Sequence, residues 1–206
     1  MIIVHIIPHS YAIISVVKIN RQHVLAALRM GKSAPDAALE RRLEAVGAEI
    51  LAAARPLGRW QAADITDASD GSFAVGPLRL ASADLRRTLK GCSHAFLFCA
   101  TLGAGVDAVL RRYGALGATD LLIAQAIAST LIEAYCDECE EKMRAEPIAA
   151  GRTLRFRFAP GYGDLPLDVQ RPLLETLDAA HRIGLTLTDS LQMIPTKSVS
   201  AIIGIG

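Results

Sequence analysis

Apolar residues recur on one helical face between Pro35 and Arg55, at positions 39, 43, 46, 50 and 51. This spacing predicts an amphipathic helix, and Pro35 suits its first turn because proline has no N–H to leave unpaired there. Just upstream, Asn20 can cap a shorter helix over RQHVLAALRM, with Gly31 at its end. We interpret residues 1–57 as an N-terminal extension with a small helical unit, and residues 58–206 as a second unit.

Short apolar runs separated by turn residues dominate positions 60 to 100. The dipeptides Asp-Gly at 70–71 and Gly-Pro at 76–77 predict one or two β-hairpins. Ser82 is placed to cap a helix that Gly91 ends, and the run HAFLFCA that follows predicts a buried strand. A glycine loop, TLGAG, then leads into another helix. Strand, glycine loop and helix can bind phosphate, but a G-x-G fragment without a third glycine or a lysine favours a tight turn.

A long helix is predicted from Thr119, apolar nearly all round in its first half and acidic in its second. Cys136 and Cys139 lie inside it with the C-x-x-C spacing of metal and redox motifs. Redox pairs of this kind usually start a helix, where the helix dipole lowers the thiol pKa. Their position inside the helix therefore favours buried, unreactive cysteines. A protein that uses these cysteines to bind a metal or for thiol chemistry is therefore the weakest of our three hypotheses.

The segment TLRFRF at 153–158 alternates as a half-buried strand does. It predicts Leu154, Phe156 and Phe158 on one face, with the two arginines between them on the exposed face. After a turn, DVQRPLLETLDAAHRI predicts a helix with a kink or restart at Pro172, and residues 184–206 predict two strands around a loop. Helices and strands do not alternate regularly along the chain, so we expect an α+β fold.

Charge and composition argue against several classes of partner. The 206 residues are 51% hydrophobic and carry 22 basic against 21 acidic side chains. The chain can therefore build a core, but it offers nucleic acid or an anionic membrane no general attraction. The apolar start MIIVHIIPHSYAIISVV lacks a basic leader and a cleavage site, and Pro8 interrupts it. We expect a buried or edge strand there, or an extension from a mis-set start codon, and a cytoplasmic protein.

The turn RFAPGYGD, residues 157–164, is the candidate binding site. Glycines allow a backbone to approach a ligand closely, and Pro160 fixes how the chain enters the turn. Arg157 can bind a carboxylate or phosphate through paired hydrogen bonds, while Tyr162 offers a ring and a hydroxyl. These features describe a small ligand, partly anionic and partly planar. The residues alone fit a structural turn with a surface arginine equally well.

Two motifs in the C-terminal part of the chain resemble a known family. The first is Arg-Phe-Ala-Pro-Gly-Tyr at 157–162; the second is GLTLTDS at 184–190, which continues to Met193, Pro195 and the run SVS at 198–200. In this order and spacing they resemble the adenosylmethionine-binding activation domain of cobalamin-dependent methionine synthase. The segment LIEA at 131–134 is also similar to the long helix of that family. The resemblance covers roughly residues 60 to 206.

The resemblance implies a C-shaped α+β fold, in which helices flank a twisted, mainly antiparallel sheet. It implies that adenosylmethionine binds in a shallow site and that the domain caps a cobalamin-binding domain, where a reducing flavoprotein assists the methylation of cobalamin. By position in the motifs, Arg157 would hold the methionyl carboxylate, and Ala159 and Gly161 would contribute backbone contacts. Tyr162 and Glu133 would line the same site. No catalytic residue and no metal ligand is implied in this chain, because the chemistry occurs at the cobalt.

The chain also departs from that family. Its 206 residues have no room for the homocysteine, folate and cobalamin modules of the long enzymes, so we expect action in trans on a methionine synthase or another corrinoid protein, or a place in a split synthase. Ser129 stands where those enzymes have an aspartate facing the cobalamin. Our first hypothesis is a reactivation module, for which Arg157→Ala should abolish adenosylmethionine binding with little loss of stability. The alternative is a non-catalytic subunit that contacts a corrinoid protein without adenosylmethionine turnover.

Overall fold

The computed structural model describes residues 11–12, 20–30, 35–149 and 151–206. Strands and helices follow one another irregularly, as the α+β prediction requires. A 3₁₀ turn at Leu167–Val169 precedes the sixth helix. The elements are β1 (Tyr11–Ala12), α1 (Arg21–Ala27), α2 (Ala37–Ala53), β2 (Leu57–Asp67), β3 (Phe73–Val75), β4 (Leu78–Leu80), α3 (Ala83–Thr88), β5 (His94–Thr101), α4 (Ala104–Leu116), α5 (Ala118–Ala149), α6 (Gln170–Thr176), α7 (Ala179–Ile183), β6 (Thr186–Leu187), β7 (Met193–Ile194) and β8 (Ser198–Ile205).

The main sheet is antiparallel, with the strand order β4-β3-β2-β5-β8. Strand β5 lies between β2 and β8, and it pairs along its whole length with both, from His94↔Ile205 to Thr101↔Ser198 on the β8 side. Strands β6 and β7 form a separate small hairpin. This curled antiparallel sheet flanked by helices confirms the predicted C-shaped α+β fold.

Residues 95–100 of β5 are all apolar because both faces of the sheet are covered. Phe96 and Phe98 point into a core built with α1, α2, α4 and α5. Leu97 and Cys99 point into a second core, built with the β3–β4 hairpin, α3, α6 and α7. Period-2 alternation thus sends successive side chains into different cores, and none of them needs to be polar. In the described residues, α1 and α2 share their core with α5.

The predicted helix starts are right in kind, but α2 begins two residues later than predicted. Asn20 caps α1, with Oδ1 accepting from the N–H groups of Gln22 and His23. Asp36 caps α2, which begins at Ala37, because its Oδ1 accepts from the Leu39 N–H at 2.8 Å. The proline therefore lies just before the helix. Gly31 lies outside the described residues.

The C-terminal elements correct two predictions. Pro172 causes no break, since it lies in the first turn of α6, where its missing N–H is not needed. The break comes at Asp178, which has a φ of +51° and separates α6 from α7. Residues 184–206 contain three strands rather than two, because the loop after β6 contains a further short strand, β7, which pairs with β6.

Of the apolar N-terminal segment, only Tyr11 and Ala12 are described. They pair antiparallel with the first residues of β2, in the register Tyr11↔Gly58. The rest of that prediction lies outside the described residues. Within the described part of the chain, none of the helices has the length and hydropathy that crossing a membrane requires.

Candidate functional site

Residues 153–158 run along β8 with one extra residue. Backbone bridges join Leu154 to Ile205 and Phe158 to Ile202, which are four positions apart on one side and three on the other. A one-residue bulge of this kind reverses the alternation of the side chains beyond it. Leu154 accordingly packs against the core on the α5 side, whereas Phe158 packs against the opposite core.

The bulge overturns the predicted exposure of this segment. Phe156, expected on the same face as its apolar neighbours, is 90% exposed. Arg157, expected on the exposed face, has a side chain that is only 21% exposed and turns towards α5. Strict alternation assumes one partner residue for every residue of the strand, and the run TLRFRF carries no glycine to mark the exception.

Arg157 contacts three carboxylates on one face of α5. Its Nη2 donates to Glu133 Oε2 at 2.9 Å. Its Nη1 donates to Asp137 Oδ1 at 3.0 Å and to Glu140 Oε1 at 2.6 Å. One positive and three negative charges leave this cluster with two net negative charges. We call Arg157 and these three acids the acidic cluster.

The acidic cluster changes what is expected of Arg157. Of the predicted site residues, the structure brings Arg157 and Glu133 into direct contact. Glu140, whose side chain is mostly buried, shares its carboxylate between Arg157 and Arg144. Removal of the Arg157 guanidinium would leave the mostly buried Glu140 carboxylate with Arg144 as its remaining cation, and a buried charge that loses a partner is costly. We therefore expect Arg157→Ala to lower stability, contrary to the sequence-based expectation.

The predicted turn is closed by its own hydrogen bonds. Tyr162 N–H donates to the Ala159 carbonyl at 3.1 Å, and Gly161 N–H donates to the Leu165 carbonyl at 2.9 Å. Gly161 has a φ of +87°, a backbone conformation that residues other than glycine rarely adopt. Tyr162 is 70% exposed, and its ring lies edge-on to Phe158, with the ring centroids 6.4 Å apart. The turn thus presents an aromatic ring and a hydroxyl to solvent from a fixed backbone.

Asp164, the residue that ends this turn, attaches it to α3. Its Oδ2 accepts from the Ala83 N–H at 2.7 Å, and its Oδ1 accepts from the Asp84 N–H at 3.2 Å and from the Ser82 hydroxyl. The Ser82 hydroxyl, together with the two backbone N–H groups, lowers the pKa of the Asp164 carboxyl. Ser82 itself caps α3 through the Leu85 N–H, as predicted. Asp164 caps the same helix a second time from a distant position in the sequence, so no local sequence signal predicts this contact.

A second cation lies on the exposed face of α5. Lys197 Nζ donates to Ser129 Oγ at 2.9 Å, and Ser129 precedes Glu133 by one helical turn. Burial lowers the pKa of Lys197, because its ammonium is partly removed from water. Among the described residues, no carboxylate lies within 4.0 Å of this ammonium. Sequence reasoning missed Lys197, since nothing in the spacing of residues 129 and 197 relates them.

The glycine loop TLGAG serves packing. A Cβ on Gly105 would overlap the carbonyl oxygen of Ala53, and one on Gly103 would lie 3.2 Å from the carbonyl oxygen of Arg55. Asp107 lies in the first turn of α4, where its negative charge complements the helix dipole, and its carboxylate accepts from the backbone N–H and the hydroxyl of Thr196. The structure thus gives the tight-turn interpretation a physical reason.

Three of the four cysteines are buried, including both cysteines in α5, as predicted. Burial raises the pKa of the Cys99 thiol to about 12 and that of Cys139 to about 11. These thiols therefore stay protonated at neutral pH and are poor nucleophiles and poor metal ligands. Within the described ranges, no group of three or more His, Cys, Asp or Glu residues is placed to hold a metal ion.

Comparison with known proteins adds two findings. Residues 90–205 match a family model described as vitamin B12 dependent methionine synthase, activation domain. A crystal structure of the MetH reactivation domain bound to AdoHcy is similar to this chain, with a TM-score of 0.59 and 19% sequence identity. That likeness covers 85% of this chain and 68% of the other, and at this identity it shows a shared fold. The range matched by the family model contains the turn, the acidic cluster, Ser129 and Lys197.

Proposed function

Because the chain belongs to the family of vitamin B12 dependent methionine synthase activation domains, we propose that it is a reactivation module that binds adenosylmethionine and acts in trans on a cobalamin-binding methionine synthase or related corrinoid protein. The family match over residues 90–205 is the observation that carries this proposal. In this function a reducing flavoprotein would supply one electron to reduce the partner's cob(II)alamin to cob(I)alamin, which would take the sulfonium methyl group as adenosylhomocysteine leaves. The chain itself contributes binding and positioning.

The acidic cluster suits the charges of this ligand. Adenosylmethionine carries an ammonium and a sulfonium against a single carboxylate, so it is a net cation at neutral pH. The cluster carries two net negative charges, and Arg144, which contacts Glu140, is itself matched by Glu141. The side chains of Glu133 and Asp137 are 60% and 71% exposed, which leaves their carboxylates accessible to a ligand. In our proposal Glu133 binds the ligand's ammonium, and Arg157, which these acids hold in position, binds its carboxylate.

The turn supplies a surface for the planar part of the ligand. Tyr162 is exposed on a backbone that Gly161 and Ala159 fix through hydrogen bonds. An aromatic ring held in this way can stack against adenine at little entropic cost, because the turn is already ordered. The proposed site therefore consists of Arg157, Ala159, Gly161, Tyr162 and Glu133.

Isothermal titration calorimetry with adenosylmethionine and with adenosylhomocysteine tests the binding step. Glu133→Gln should weaken adenosylmethionine binding by about fivefold, since one exposed charge contact is lost. Glu141→Gln is the matched control: it removes the same charge two turns further along α5, and its carboxylate is similarly exposed. Equal affinities in the two variants would exclude Glu133 from the site.

One observation favours the second candidate function, a subunit that contacts a corrinoid protein without adenosylmethionine turnover. The guanidinium of Arg157, expected to bind the ligand's carboxylate, is already bonded to three carboxylates of the chain itself. The same calorimetry separates the two functions. Heat of binding that saturates below millimolar adenosylmethionine supports the reactivation module, and no heat at millimolar ligand supports the non-catalytic subunit.

Action in trans requires a partner in the assay. The purified chain with adenosylmethionine, a reductant and free cobalamin should give methylcobalamin slowly or not at all. Addition of a cobalamin-binding protein from the same cell and a reducing flavoprotein should give methylcobalamin, which the absorption spectrum detects. Equal rates of methylation with and without this chain would contradict the proposed function.

A further inference from the structure

We propose that Asp164 is a positioning residue for the adenosylmethionine site: it holds the turn at 157–164 against α3 and thereby raises the affinity of that turn for the ligand. This inference rests on the proposed function and adds a residue that acts through the turn rather than through the ligand. It also implies that ligand binding stabilises the first turn of α3. The observations that carry it are the hydrogen bonds of Asp164 and the packing of Gly163.

The position of the Tyr162 ring depends on the backbone of the turn. Tyr162 is 70% exposed, and its ring meets Phe158 edge-on, so side-chain packing does little to fix it. Its N–H donates to the Ala159 carbonyl at 3.1 Å, and the Leu165 N–H donates to the Tyr162 carbonyl at 3.0 Å. A group that holds this backbone in place therefore also holds the ring.

The first N–H groups of α3 are bonded to the end of the turn. Such groups have no partner within their own helix. The Leu85 N–H donates to Ser82 Oγ at 3.0 Å. The N–H groups of Ala83 and Asp84 donate to Oδ2 and Oδ1 of Asp164, at 2.7 and 3.2 Å. Movement of the turn away from α3 would therefore exchange two charge-assisted hydrogen bonds for bonds to water.

Helix α3 is a fixed support for the turn because it is anchored in a core. Leu85 and Leu89 are buried in the second core, which also contains Leu165, the residue that follows Asp164. The same core therefore fixes the helix and the chain that leaves the turn. The carboxylate of Asp164 joins the two segments where they meet at the surface.

Gly163 brings the backbone of the turn into contact with α3. It has a φ of +52°, and a Cβ at this position would overlap the carboxylate of Asp84. The glycine thus allows the chain between Tyr162 and Asp164 to lie directly against the first turn of the helix. Arg87 pairs with Asp84 and balances its charge. Close backbone contact and a bonded carboxylate follow each other in the chain, so a change at α3 is transmitted to Tyr162.

This contact affects binding through the order of the turn. An ordered turn loses less conformational entropy on binding a ligand than a mobile one does. Removal of the Asp164 carboxylate should therefore lower the affinity, although no group of the proposed site is removed. By thermodynamic reciprocity, the ligand then stabilises the contact between the turn and α3. Amide hydrogen exchange at Ala83 and Asp84 reports this stabilisation, because their N–H groups are bonded in the contact.

The test measures adenosylmethionine affinity by calorimetry and amide hydrogen exchange by NMR, in the unmodified chain and in Asp164→Ala. The affinity should fall about fivefold to tenfold, and the Tyr162 amide should exchange about tenfold faster without ligand. In the unmodified chain, saturating ligand should slow exchange at Ala83 and Asp84 by about the factor that the affinity changes. Asp164→Ala should abolish this slowing. Asp164→Asn keeps one acceptor oxygen, so its affinity should lie between those of the other two chains.

Asp36→Ala is the matched control. Asp36 also caps a helix with its carboxylate, through the Leu39 N–H at the start of α2. The substitution removes the same side chain from a helix start outside the proposed site. It should leave the adenosylmethionine affinity within about twofold of the unmodified chain.

Each outcome assigns the result. Unchanged affinity in Asp164→Ala overturns the inference and leaves the proposed function standing. An equal loss of affinity in Asp36→Ala also overturns it, because any weakened helix cap would then have the same effect. Exchange at Ala83 and Asp84 that the ligand does not slow in the unmodified chain overturns it as well. If the unmodified chain binds no adenosylmethionine, the proposed function fails, and the inference fails with it. Thermal melting verifies folding, and Asp164→Asn replaces Asp164→Ala in every comparison if the alanine variant does not fold.

Discussion

Two glycine-containing turns, TLGAG at 101–105 and PGYG at 160–163, offer similar sequence signals, and the structure uses them differently. In the first, the space beyond Gly105 is filled by the backbone carbonyl of Ala53. In the second, a Cβ on Gly161 would meet the side chain of Leu167 at 3.3 Å, and the glycine is needed because its φ is +87°. Gly105 is required by packing, and Gly161 is required by backbone conformation.

The two turns also differ in whether protein atoms or solvent surround them. The glycine turn at 101–105 leads into α4, and Asp107 in the first turn of that helix accepts from Thr196. The second turn faces solvent and carries the exposed Tyr162 beside Phe158. A glycine motif thus indicates close approach or an unusual φ. Only the atoms behind the glycine show whether the approaching group belongs to the protein or is left for a ligand.

Gly105→Ala should have the largest effect on stability. Its methyl group would overlap a backbone carbonyl, which cannot move aside as a side chain can. We expect a loss of about 3 kcal/mol in the free energy of unfolding, measured by urea denaturation. Gly114→Ala, in the same helix, is the control, because its methyl group would meet only Leu121 at ordinary contact distance. That change should be neutral or stabilising by up to about 1 kcal/mol. Equal losses of stability in both variants would contradict the inference that the Ala53 carbonyl leaves no room for a side chain at position 105.

Gly161→Val should lower stability less than Gly105→Ala does, and it should lower the affinity for adenosylmethionine more. Holding a β-branched residue at positive φ costs about 2 kcal/mol. The turn would also shift, which should weaken adenosylmethionine binding in the calorimetric assay. Gly184→Val isolates the conformational cost, since Gly184 has a φ of +67° and no heavy atom near its missing side chain. Affinity lost equally in both variants would show that the turn has no direct role in binding.

The sequence predicts those parts of the fold that local signals determine. Caps at Asn20 and Ser82, the amphipathic face of α2 and the apolar run of β5 all depend on residues within a few positions of each other. The bulge near Phe156 depends on which residue of β8 lies opposite, and it reverses the predicted exposure of Arg157. Contacts such as Lys197 with Ser129 join distant segments, so no spacing rule could find them.

Asp164 gives a smaller effect that depends on pH. Its folded pKa lies below the ordinary value near 4 because the Ser82 hydroxyl and backbone N–H groups stabilise the charged form. The stabilisation is present above the ordinary pKa and is lost as the pH falls through the folded pKa. Asp164→Ala should lower the melting temperature at neutral pH, and the difference from the unmodified chain should shrink below about pH 4. A difference that stays constant into acid would show that the carboxylate charge contributes nothing to this cap.

Changes at Tyr162 should have the smallest effect on stability and should test the open side of the comparison. The ring is mostly exposed, so Tyr162→Ala should change the free energy of unfolding by less than about 0.5 kcal/mol. If the ring stacks on the ligand, the same change should weaken adenosylmethionine binding by about tenfold. Tyr162→Phe keeps the ring and should weaken binding only mildly.

Phe156→Ala is the control, because Phe156 is more exposed still and lies outside the proposed site. Its affinity should match that of the unmodified chain. Weakening by Phe156→Ala as large as that by Tyr162→Ala would mean that exposed aromatic surface in general, and not the second glycine turn, contributes to ligand affinity.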